Sequence, residues 1–124
     1  MSAVSIKLSF AQSDGFIRTV YFRTNSSTID PVYRKMLDTV ANYYKFHPFL
    51  NLNIFGYADT VGRESYNDYL SEKRVETVYN YLQSRAKIDT ARLRMEWLGK
   101  SEEGYDLHFP EAHIQQRCVD IWLY

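Results

Sequence analysis

One cysteine, Cys118, occurs in the 124 residues. No intrachain disulfide can form, and no cysteine-rich metal site exists. There are three histidines; His47, His108 and His113 are scattered and lack the His-x-x-x-His spacing of a zinc site, so no metal or cofactor is expected. Five glycines and three prolines leave no repeat, linker or low-complexity tract. Net charge is zero, with 15 basic and 15 acidic side chains. That excludes general binding to nucleic acid or anionic membranes, which needs a basic excess. No apolar run approaches the roughly 18 residues of a membrane span. The opening MSAVSIKLSF has neither the basic nor the apolar region of a signal peptide. The expectation is a soluble chain that carries no address of its own.

Catalytic machinery is also missing. Ser26 and Ser27 have no partner triad, and Cys118 has no activating base in its motif. Glu102 and Glu103 are adjacent, so their side chains point apart. No enzyme is expected, and Cys118 reads as a buried, inert thiol.

What is present is a globular composition, 45% apolar and 24% charged, in a length that fits one domain over residues 1–124 and buries a core unaided. Eleven Tyr and seven Phe suit half-buried positions, where a ring packs and a hydroxyl stays wet. Val4–Phe10 alternates apolar and polar residues as a strand does, and Ser13-Asp14-Gly15 reads as a turn. Residues 1–15 are thus an extra N-terminal strand and turn, able to form a hairpin with the strand predicted over Phe16–Phe22. Asp30 and Pro31 open a helix running to about Lys45, which His47-Pro48 ends. Leu50–Gly56 reads as a strand with one buried face, and Glu64 to about Arg85 as a long helix with Leu70, Val75, Val78, Tyr79 and Leu82 on its apolar side. Asp89 caps a short turn, and strands follow over Arg92–Leu98 and Cys118–Tyr124. The order β, β, α, β, α, β, β predicts an α/β (α+β) fold with helices packed on one face of a mixed sheet.

The informative stretch joins the third strand to the second helix. Gly56 and Gly62 are positions suited to positive φ. Asp59 lies on the loop and Arg74 on the helix. A carboxylate attracts an ammonium group, and a guanidinium forks onto a carboxylate, so the two together suit a zwitterionic amino-acid head group. The bland alternative is that Asp59 and Arg74 bridge each other, or that Asp59 caps the loop.

Gly56, Tyr57, Asp59, Gly62, Asn67, Leu70, Ser71 and Arg74 stand at the spacing of the signature of the OmpA-like peptidoglycan-binding domain family (OmpA C-terminal and MotB type). Phe22-x-Thr24-Asn25-x-Ser27 resembles that family's loop before the first helix, and Gly99-Lys100-Ser101-Glu102 its segment after the third strand. The resemblance runs from about Val20 to Ile121. It implies a β-α-β-α-β sandwich that holds peptidoglycan non-covalently and without a cofactor, gripping the diaminopimelate of the stem peptide. Asp59 would meet the ammonium and Arg74 the carboxylate. Asn25 and Asn67 match positions that line or support the pocket, while Thr60 and Val61 would act through their backbone. Tyr57 and Arg117 are weaker ligand-binding candidates. The resemblance further implies a periplasmic location, a parent protein associated with the outer membrane, and protein partners in the envelope. Three departures stand out: Ala58 replaces a Thr, Arg23 stands where some members carry Asp, and Gln116-Arg117-Cys118 lacks one Arg of the family's C-terminal run. A scaffold or protein-interaction module with a weakened wall site is the alternative, using the strand edge of Val4–Phe10.

Overall fold

The computed structural model describes residues 15–57, 64–98 and 117–124. Four strands, β1 (Phe16–Tyr21), β2 (Leu52–Tyr57), β3 (Leu93–Leu98) and β4 (Cys118–Leu123), form one mixed sheet in the order β1-β4-β2-β3. β2 and β3 run parallel, and β4 lies antiparallel to both β1 and β2. The last strand in sequence therefore inserts between the first two, a split βαβ arrangement. The strand predicted over Val4–Phe10, and its hairpin, lie outside the described residues.

Two helices, α1 (Arg34–Phe46) and α2 (Glu64–Gln83), complete the layer. The helix predicted from Asp30 begins differently. Pro31–Tyr33 forms a 3-10 turn, which Asp30 caps by accepting from the Val32 N–H at 3.1 Å, and the α-helix starts at Arg34. Asp89 caps a second 3-10 turn, Thr90–Arg92, through the Ala91 N–H at 3.0 Å.

Alternation sets the core. Val20, Leu52, Ile54, Val119, Ile121 and Leu123 point to one face and pack against Leu37, Val40 and Tyr44 of α1 and Val75, Val78 and Leu82 of α2. Each such side chain contributes about 1.5–3 kcal/mol by leaving water. On the opposite face Asn53 is buried, its amide donating to the Tyr124 hydroxyl at 3.2 Å. A side-chain cluster joins α1 to the last turn of α2 and the chain just past it: Asp38 accepts from Arg85 Nε at 2.7 Å and from the Tyr81 hydroxyl at 2.9 Å. These bonds, Arg85 first, hold the Asp38 carboxyl below its usual range.

Gly56 carries no positive φ, unlike the sequence expectation. It sits inside β2, where a Cβ would come 2.5 Å from Val75 Cγ2 and 2.7 Å from the Ser71 carbonyl oxygen. Glycine is required there because α2 crosses the strand in contact with its backbone.

Candidate functional site

From Asn67 onward α2 presents one buried face, and that face changes character. Asn67, Ser71 and Arg74 recur at helical spacing and are 3%, 0% and 0% exposed; Val75, Val78 and Leu82 continue the face as apolar residues. A buried guanidinium needs several acceptors to offset its lost hydration. Arg74 donates from Nε to the Ser26 carbonyl at 2.8 Å, from one terminal nitrogen to the Tyr57 carbonyl at 3.2 Å, and from the other to the Arg23 carbonyl at 3.1 Å. The Phe22 ring lies beside the cation, 5.4 Å from Cζ to centroid.

Two of the three acceptors come from a four-residue turn, closed by the Ser26 N–H on the Arg23 carbonyl at 3.1 Å. Asn25 stands in it with φ 59°, the sole non-glycine residue at positive φ among the described residues. Asn tolerates this conformation better than most side chains. Arg74 thus bonds both ends of the turn and the last residue of β2. Arg117 approaches from the other side: its guanidinium donates to the Thr24 hydroxyl, and its carbonyl accepts from the Phe22 N–H at 2.7 Å. Tyr57, Asn25, Arg74 and Arg117 therefore meet around one turn. Asn67 lies on the same helix face as Arg74, two turns earlier. Asp59, Thr60 and Val61 lie outside the described residues, as do Ala58, Gly62, His108, His113, Glu102 and Glu103.

Arg23 turns outward. Its side chain is 86% exposed and pairs with Asp30 at 3.3 Å, bordering a groove of about 390 Å³ that includes Tyr21, Ile29 and Tyr33. The Val32 N–H, and then Arg23, hold the Asp30 carboxyl below its usual range. Cys118 is buried as expected. Burial, with Asp120 adding to it, pushes its thiol up to about 12 against an opposing pull from Arg74. His47 has a structural role: it stacks on Tyr43 at 4.2 Å, with its Nδ1 3.0 Å from the Tyr43 carbonyl. Among the described residues no group of His, Cys, Asp and Glu could hold a metal ion, and no helix is long and apolar enough to cross a membrane.

Sequence reasoning singled out Arg74 but missed what holds it. The acceptors at Arg23, Ser26 and Tyr57 are backbone carbonyls, which every residue type supplies alike. The one available signal was the Phe22-to-Ser27 motif, whose Asn25 suits a turn of this kind.

Relatives and solved structures agree on the kind of domain. The probable lipoprotein YiaD of Escherichia coli strain K12 is 31% identical over 104 residues, covering 84% of this chain and 47% of that protein. A peptidoglycan-associated lipoprotein of Legionella pneumophila is 30% identical over 100 residues, 81% of this chain and 56% of its own length. The chain spans about half the length of these relatives. The crystal structure of the peptidoglycan-associated lipoprotein from Burkholderia pseudomallei superposes with a TM-score of 0.73 at 30% identity, covering 86% of this chain and 90% of that one. A periplasmic domain of Helicobacter pylori MotB shares the fold at a TM-score of 0.70 and 15% identity. The model of the OmpA family matches residues 21–117, from the end of β1 through the Arg74 turn to the start of β4, and this chain belongs to that family.

Proposed function

We propose that this domain binds peptidoglycan without catalysis and anchors its parent protein to the cell wall on the periplasmic side of the outer membrane. Its ligand is the diaminopimelate of a stem peptide, with Asp59 taking the ammonium and Arg74 the carboxylate. The observation that carries the proposal is the clamping of Arg74. Three carbonyls, two from one turn and one from the end of β2, fix the plane of a fully buried guanidinium. A cation oriented beforehand, out of water, attracts a carboxylate more strongly than a mobile surface arginine does. Tyr57 supplies one of those carbonyls, and Asp59 follows two residues later. Asn67 adds support: it is 3% exposed, and among the described residues its Nδ2 has no hydrogen-bond partner. A buried donor of this kind costs about 1–3 kcal/mol until an acceptor reaches it. Family membership agrees with non-covalent binding by a domain that is not an enzyme.

Sedimentation with purified, protein-free peptidoglycan tests this. The wild type should co-sediment, and Asp59→Asn, which keeps the size of the side chain, should not. Free diaminopimelate should compete and lysine, which lacks the second carboxylate, should compete less. Equal sedimentation of wild type and Asp59→Asn would sink the proposal. Arg74→Ala is the less informative variant, because it also removes three bonds that hold the fold.

A further inference from the structure

The turn that holds Arg74 has an outer side as well as an inner one. Arg23 and Ser26 give their carbonyls to the Arg74 guanidinium, and both residues also line the groove of about 390 Å³. One turn is therefore the wall between that buried cation and the groove. Tyr21, Ile29, Val32 and Tyr33 continue the groove as apolar surface, with Val32 74% exposed.

Charge in this groove is held in place and only partly used. Asp30 is fixed through both carboxylate oxygens: one caps the 3-10 turn by accepting from the Val32 N–H, and the other accepts from Arg23 at 3.3 Å. Arg23 gives that bond from a single terminal nitrogen and donates from its side chain to no other group. A guanidinium carries five N–H donors in a planar fork, so most of this fork is left to solvent. Among the described residues that line the groove or bond its turn, three arginines (Arg23, Arg74 and Arg117) meet one carboxylate, Asp30. That balance suits a ligand with more than one carboxylate.

We infer that Arg23 takes a second carboxylate of the same stem peptide, that of the glutamate joined to the diaminopimelate, so that the groove tells a free glutamate from an amidated one. The inference rests on the reading of Asp59 and Arg74 as the diaminopimelate clamp. Spacing favours it. Arg74 bonds the carbonyl of Arg23 itself, so about one arginine side chain separates the two cations, the scale that separates carboxylates of neighbouring residues in a peptide. Chemistry favours it too. A carboxylate meets a guanidinium fork with two parallel bonds, whereas an amide offers one oxygen and an NH2 group that a cation does not attract. The apolar walls suit the methylenes of the glutamate.

Two synthetic stem tripeptides test this: alanyl-γ-D-glutamyl-diaminopimelate, and its counterpart with the glutamate carboxylate amidated. Each is titrated calorimetrically into the full chain. The wild type should bind the free form about fivefold more tightly, the upper end for an exposed ion pair. Arg23→Gln should bind both forms alike, and Arg23→Glu should favour the amidated one. Neither change touches the Arg23 carbonyl, so the bond to Arg74 is kept. Asp59→Asn should lose both peptides. If the wild type binds both forms equally, or Arg23→Gln keeps the preference, Arg23 does not read the glutamate and the diaminopimelate clamp still stands. If the wild type binds neither form, both readings fail.

Discussion

The two halves of the buried face of α2 solve different problems with one helix. From Val75 onward the face is apolar, and burial alone favours packing on the sheet. From Asn67 to Arg74 it buries three polar side chains, Asn67, Ser71 and Arg74, around the apolar Leu70, which is unfavourable unless each polar group finds a partner. Arg74 finds three carbonyls, and Ser71 donates to the Asp68 carbonyl at 3.0 Å. The Asn67 amide nitrogen finds none among the described residues. The apolar half holds the fold. The polar half costs stability unless it is organised.

The contrast can be broken most sharply at its centre. Arg74→Ala leaves three carbonyls without their donor and a cavity behind; it should destabilise the domain by about 4 kcal/mol, read from the midpoint of urea unfolding. Arg74→Lys should recover little, because an ammonium cannot reach three fixed acceptors as a guanidinium does. Leu82→Ala, in the apolar half, should cost about 3 kcal/mol while leaving peptidoglycan sedimentation of the folded protein unchanged. If it weakens binding at a concentration of urea where the protein is fully folded, the halves are not separable.

Gly56→Ala tests the contact the two halves share. Its new methyl would press on Val75 and on a backbone oxygen that cannot swing aside, at a cost of about 2 kcal/mol. Asn67→Leu should be smallest in stability, near zero or slightly favourable, since it removes an unsatisfied buried group; binding should fall all the same. A large loss of stability would show that the Asn67 amide is already well bonded.

Cys118 provides a pH test beside the site. Its thiol is raised from 9.0 to about 12 on folding. The stability it contributes is therefore fully present below about pH 9 and is lost as pH rises through 9 towards 12. Native protein at pH 8 should resist alkylation and react once urea unfolds it. The urea midpoint should fall between pH 9 and 12, and less so in Cys118→Ala.

Much of the fold was legible because apolar periodicity is a local property. The spacing of Val32 to Tyr44 and of Val75 to Leu82 predicted both helices. Alternation in Leu50–Gly56 and Arg92–Leu98 predicted strands within one or two residues of β2 and β3. The insertion of β4 between β1 and β2 was not legible, because pairing across a hundred residues leaves no trace in either segment alone. Gly56 was singled out for the wrong property: its value is the missing Cβ, not its backbone freedom, and only the position of Val75 and Ser71 reveals that.

Residue type and spacing by themselves determined the sheet-and-two-helix class and the inert thiol of Cys118, since these depend on periodicity and on the lack of an activating partner, while Arg74 stood out from the other arginines only through the family signature around it. The tertiary structure alone decided that Arg74 is fully buried and held by Arg23, Ser26 and Tyr57. Those partners are carbonyl oxygens common to every residue, and what distinguishes them is only where the fold puts them.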